Sequence, residues 1–114
     1  MQIKIVDDAG NTAKVVLSGK LDISGAETIA LPLATLAGGK SGVVLDMAGV
    51  TFLASIGIRH LVSASKALTR RGGRLVLLNP TPMVTDVLTT SGVLELMAIA
   101  RSDAEAATAL GART

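Results

Sequence analysis

Two short all-apolar runs, Val43-Val44-Leu45 and Leu75-Val76-Leu77-Leu78, bracket a helical segment, and this spacing constrains the fold more than any other feature. An apolar run of this length predicts a strand buried on both faces. Between the runs, residues 55–71 place Ile58, Leu61, Val62, Ser65 and Leu68 on one helical face, and Gly72-Gly73 stops the helix. A strand, a helix and a second strand so spaced predict a parallel pair joined by a right-handed crossover.

The remaining elements extend this unit in both directions. Ile3 and Ile5 alternate with Gln2 and Lys4 as in a strand. Residues 7–11, Asp-Asp-Ala-Gly-Asn, carry turn chemistry, so residues 13–17 form an antiparallel second strand. Ser24-Gly25-Ala26-Glu27 matches a capping box before the helical stripe Ile29, Leu33 and Leu36. Pro32 interrupts that helix and Gly38-Gly39 ends it. A loop is expected after Leu45 through Gly49. Thr81-Pro82 opens a helix with the stripe Val84, Val87 and Leu88, closed at Gly92. Residues 96–100 read as a short strand, and Ser102-Asp103-Ala104-Glu105 opens a last helix through Leu110. The order β-β-α-β-α-β-α-β-α predicts an α/β fold, one mixed sheet with helices mainly on one face.

Composition removes several classes of function. The chain has 114 residues, of which 49% are hydrophobic and 18% charged, so a packed core rather than disorder is expected. That length fits a single domain spanning residues 1–114. Cysteine is absent and His60 is the single histidine, so no thiolate or histidine-rich metal site is expected. Phe52 is the single aromatic residue and the net charge is +2, which argues against nucleic-acid binding. No uncharged window exceeds twelve residues, against about 20 for a membrane span. Residues 1–5 show no signal-peptide pattern. No direct membrane insertion, no cofactor and a cytoplasmic location are expected.

Catalytic motifs do not survive inspection of spacing. Gly38-Gly39-Lys40-Ser41 resembles the end of a phosphate loop, but Ala34 stands where the first glycine belongs, and the order is helix then strand. Ser55 and His60 lie five residues apart, about 140° around a helix, so they do not face each other. Asp22 and Asp46 both fall near strand ends, and a convergent carboxylate pair is the remaining enzymatic reading. An enzyme is not expected. Arg59, Ser63, Lys66 and Arg70 recur at i, i+4, i+7 and i+11, a polar and basic face suited to solvent or to an acidic partner, with nucleic acid a third reading that the modest net charge weakens. Ser55 stands where a loop enters a helix, as an N-cap candidate. A phosphate on it would carry nearly two negative charges and meet the positive end of the helix dipole.

Residues 43–58, VVLDMAGVTFLASIGI, resemble the signature of the STAS domain family, and most of all that of bacterial anti-sigma factor antagonists. The family pattern runs strand, Asp, loop, Phe, an apolar residue, Asp, Ser, Ser or Thr, Gly, Leu. Leu17-Ser18-Gly19-Lys20-Leu21-Asp22 upstream is similar to the family's Gly-x-Leu-Asp segment. Gly73-Arg74-Leu75-Val76-Leu77 and Ser91-Gly92-Val93 downstream also fit. Ala54 replaces the usual Asp, Ile56 a common Ser or Thr, and Arg59 a small residue.

The resemblance implies a regulator that binds a serine kinase/anti-sigma factor and is switched by phosphorylation, with a PP2C-type phosphatase reversing the change. Ser55 matches the phosphoacceptor. Asp22 matches an acidic residue close to it, and Ile56, Gly57 and Ile58 match the helix start that packs on the partner. With the polar face, the expected partner-binding set is Asp22, Ile56, Gly57, Ile58, Arg59, Ser63 and Lys66. The departures at Ala54 and Ile56 keep a second reading open: a STAS subunit or scaffold of a transport or signalling complex that is never phosphorylated.

Overall fold

The computed structural model describes residues 1–7 and 10–111. Among the described residues, five strands form one sheet in the order β1-β2-β3-β4-β5. These are β1 (Gln2–Asp7), β2 (Thr12–Leu21), β3 (Gly42–Leu53), β4 (Arg74–Leu78) and β5 (Ala98–Ala100). The helices are α1 (Ile23–Gly39), α2 (Ser55–Arg70), α3 (Pro82–Thr90) and α4 (Asp103–Gly111). β1 and β2 are antiparallel, and the other neighbouring pairs are parallel. Asp8 and Ala9, in the expected first turn, lie outside the described residues.

Because the strand order follows the chain, crossovers of one hand bring the connecting helices to the same face. The core records this. Val15, Leu17, Val43, Leu45, Leu75 and Leu77 turn inward with Ile29 and Leu33 of α1, Leu61 and Leu68 of α2, and Val84 and Leu88 of α3. The alternate strand residues Val44, Val76 and Leu78 face the opposite side, where Ala106 of α4 covers them. Each apolar run is therefore buried on both faces, as its unbroken apolar character requires. Lys14 Nζ meets Asp103 Oδ1 at 2.7 Å on the α4 side, a solvent-exposed pair that contributes little to stability.

The helix ends are closed by recognisable devices. After α2, Gly73 N–H donates to Leu68 O (2.8 Å) and Gly72 N–H to Thr69 O (3.0 Å), with Gly72 at φ 79°. This Schellman closure needs a left-handed residue, which glycine supplies without strain. The Arg71 guanidinium then bonds the carbonyls of Ala37 and Lys40, satisfying acceptors at the C-terminus of α1. Thr81 caps α3 with Pro82 behind it, as expected.

Three expectations are corrected. α1 starts at Ile23, and its cap is Asp22, whose carboxylate accepts from Gly25 N–H at 2.8 Å, so Ser24 lies inside the first turn. The S-x-x-E match was displaced by an acceptor two residues upstream. The loop expected after Leu45 is strand, since β3 runs on to Leu53 beside β2. Register shifts at Val16/Ser18 and Gly19/Lys20 break the period-two alternation that would have marked it. Finally, β5 is only Ala98–Ala100, preceded by a 3₁₀ turn over Leu94–Leu96. The Ser65 hydroxyl of α2 holds Leu96 O and pins that turn.

Candidate functional site

β2 and β3 outrun the rest of the sheet. β4 accompanies β3 only from Gly42 to Asp46, whereas β2 stays beside it until Leu21 opposes Leu53. The Ala54 N–H then donates to Leu21 O at 2.9 Å. This bond sets the N-terminus of α1, capped by Asp22, alongside that of α2.

Ser55 is the first residue of α2 and is exposed. The N-cap is Ala54 rather than Ser55. Ala54 has extended backbone angles (φ −93°, ψ 165°), and its carbonyl accepts the first helical bond, from Ile58 N–H at 3.1 Å. Alanine offers no side-chain acceptor, so the amides of Ser55, Ile56 and Gly57 have no partner among the described residues. A helix start left this way is positive and receptive to an anion.

Around the serine, Gly57 is buried; a Cβ there would lie 2.7 Å from Leu21 Cγ and 3.1 Å from Leu53 Cδ1. Ile56 and Ile58 are half-buried, and Ile58 packs on the core. Arg59 and Ser63 follow, exposed, on the next turns. Lys66 is exposed as well, but lies eleven residues from Ser55, about 16 Å along the axis, and lines a groove at the far end. Asp22 is half-buried and engaged in capping.

Two exposed apolar residues at this end escaped the sequence reading: Ile23 (71% exposed) and Phe52 (45%). Ile23 falls outside the α1 stripe that buries Ala26, Ile29 and Leu33. Its signal, an apolar residue directly after an Asp cap, was masked by the Ser24 match. Phe52 pairs with Lys20 just beyond a register shift, which the alternation of residues cannot reveal.

The enzymatic constellations dissolve. Asp46 opposes Val16 and accepts from Ala48 N–H at 3.1 Å, while Asp22 follows Leu21 about 20 Å further along the sheet. The two carboxylates do not converge. His60 lies half-buried in the groove between α1 and α2, about 140° around the helix from Ser55. Gly38 and Gly39 end α1, and Lys40 Nζ donates to Gly10 O at 2.8 Å. Among the described residues no helix is long and apolar enough to cross a membrane.

Residues 2–106 match the family model of the STAS domain. The chain belongs to the STAS domain family. It is 33% identical over 94 residues to BtrV of Bordetella bronchiseptica, which carries the name of an anti-sigma factor antagonist; the match spans 82% of this chain and 81% of that protein. Among solved structures it resembles the anti-sigma factor antagonist SpoIIAA in its unphosphorylated form, with a TM-score of 0.80, 24% identity and 97% of each chain covered. The phosphorylated form of the Bacillus SpoIIAA superposes with a TM-score of 0.73 at 24% identity, covering 95% of this chain and 98% of that one. The mixed five-stranded sheet with four helices is thus the fold of anti-sigma factor antagonists.

Proposed function

We propose that this STAS domain, residues 1–114, is an anti-sigma factor antagonist switched by phosphorylation of Ser55. The observation that carries the reading is Ser55, exposed at an uncapped helix start at the end of the sheet where Ile23 and Phe52 are also exposed. The bacterial relative BtrV and the two forms of SpoIIAA support it as parallels.

In this reading the unmodified protein docks its Ser55 end on a serine kinase/anti-sigma factor and so frees a sigma factor. Ile23 and Phe52 supply apolar contact, Ile56, Gly57 and Ile58 form the helix start, and Arg59 and Ser63 extend the surface. Asp22 fixes the neighbouring helix start. The protein itself catalyses nothing. The partner transfers the γ-phosphoryl group of ATP to Ser55 Oγ, releasing ADP and the hydroxyl proton. A PP2C-type phosphatase restores the serine by hydrolysis, releasing inorganic phosphate. The need for ATP and a sigma factor places these events in the cytoplasm.

The helix dipole tolerates the added dianion locally. At a desolvated interface without paired cations, the same group costs about 2–5 kcal/mol. A loss of about 3 kcal/mol is more than a hundredfold in affinity, enough for release.

The test is incubation with the kinase of the same organism and ATP. A gain of about 80 Da, the mass of one phosphoryl group, is expected at Ser55 and is absent from Ser55→Ala. Ser55→Ala binds the kinase constitutively and Ser55→Asp binds it weakly. An active kinase that leaves the mass unchanged, or equal affinities of the two variants, overturns the switch.

A further inference from the structure

At the opposite end of α2 from Ser55, about 22 Å along the axis, the fold leaves an open groove of about 890 Å3. That volume lies in the range of small-molecule sites. Lys66 and Arg70 reach it from the last turns of α2, Arg74 from the first residue of β4, and Glu95, Leu96 and Met97 from the 3₁₀ turn and the residue after it.

The terminal nitrogens of these cations have no partner among the described residues. The side chains of Lys66 and Arg74 have no hydrogen-bond or ion-pair partner among the described residues. Arg70 spends only its Nε, on Lys66 O at 3.4 Å, so its terminal nitrogens stay available. Three like charges gathered at one concavity repel one another, and an anionic ligand relieves that repulsion. Three positive charges against the carboxylate of Glu95 leave +2, the complement of a phosphomonoester, which carries nearly −2 at neutral pH. Arginine forks also match phosphate geometry bidentately.

The frame holding these groups is rigid. Gly73 is wedged under Ser41, whose carbonyl oxygen would lie 1.9 Å from any added Cβ, and the Schellman closure fixes the turn between Arg70 and Arg74. The Ser65 hydroxyl anchors Leu96 across the groove. Leu96 stays 45% exposed, an aliphatic wall for the body of a ligand. The one aromatic side chain, Phe52, belongs to the other end of the sheet, so the groove offers no face for stacking a base.

We propose that this groove binds a small, non-aromatic phosphomonoester of the sugar-phosphate class. Lys66, Arg70 and Arg74 hold the phosphate, Leu96 and Met97 contact the carbon skeleton, and Glu95 accepts from a hydroxyl. The site is separate from Ser55, so its occupancy does not depend on the proposed switch.

The experiment is an NMR titration of the 15N-labelled chain with inorganic phosphate, ribose 5-phosphate and glucose 6-phosphate, with sulfate as a control. Saturable shifts are expected at the amides of residues 66–74 and 95–98, with a sugar phosphate bound about tenfold more tightly than inorganic phosphate. Arg74→Gln and Lys66→Gln each weaken binding about tenfold without altering the rest of the spectrum, and Glu95→Gln erases the preference for the sugar. The proposal is overturned by the absence of saturable shifts at these amides with both sugar phosphates. Binding that survives both cation replacements, or a response to sulfate equal to that for the sugar phosphates, which marks an adventitious ion only, also overturns it. Loss of Ser55 phosphorylation in the kinase assay leaves these outcomes unchanged, so the two readings fail separately.

Discussion

The amide of Ala54 donates to the carbonyl of Leu21 at 2.9 Å, so β2 and β3 end together and launch α1 and α2 side by side. Ser55 owes its exposed place to this bond, because it starts the second of two helices that leave the sheet at one level. The corner is tightly packed beneath it by Leu21, Leu53 and Gly57.

Gly57→Ala tests that packing. Alanine is favoured over glycine within a helix by about 1 kcal/mol. Here its Cβ would lie 2.7 Å from Leu21 Cγ, a branch point in a fully buried side chain. Overpacking of this kind costs about 1–3 kcal/mol, which outweighs the propensity gain. Urea denaturation of the variant is expected to show a lower midpoint with an unchanged slope. A midpoint raised above that of the parent would mean that the corner is looser than its geometry implies.

Ala54→Asp is expected to stabilise the chain. Ala54 already has the extended angles of an N-cap, and the first-turn amides have no partner among the described residues. A carboxylate there gains about 1 kcal/mol over alanine. Thermal unfolding should show a rise of a few degrees that shrinks at high salt, as the charge–dipole part is screened.

Ser55→Asp separates charge from unfolding in the kinase-binding assay. An acidic side chain in the first turn of α2 gains about 0.3–1 kcal/mol from the helix dipole. The variant is therefore at least as stable as the parent in calorimetry. Weakened kinase binding then reports the charge itself. A fall in melting temperature would show instead that the substitution disturbs the corner.

Much of this architecture was legible because it rests on uninterrupted periodicity. The apolar runs at 43–45 and 75–78, the α2 stripe and the Thr81-Pro82 start each carry a local signal that tertiary packing does not contradict. The second half of β3 was hidden because two register shifts destroy alternation, and pairing with β2 rather than local pattern makes it a strand. Ser55 could be placed at a helix entrance from residue types alone. The exposure of Ile23 and Phe52 could not, since it depends on which surfaces the neighbouring elements leave uncovered. The separation of Asp22 from Asp46 likewise follows from register, which no spacing within one strand encodes.

Thr85 of α3 supplies a last test, of the fold rather than the site. Its hydroxyl oxygen is buried without a hydrogen-bond partner among the described residues, although its backbone is engaged: its N–H donates to Thr81 O at 2.9 Å and its carbonyl accepts from Thr89 Oγ1 at 2.8 Å. A desolvated hydroxyl without a partner costs about 1–3 kcal/mol, and valine has nearly the same shape without that cost. Helix propensities of the two residues are close, so the backbone does not offset the gain. Thr85→Val is expected to raise the unfolding free energy by about 1 kcal/mol. Thr89→Val, which removes a bonded and exposed hydroxyl, is expected to give no gain. Chemical denaturation of the two variants side by side decides the matter, and a loss of stability in Thr85→Val would mean that this hydroxyl is satisfied in solution.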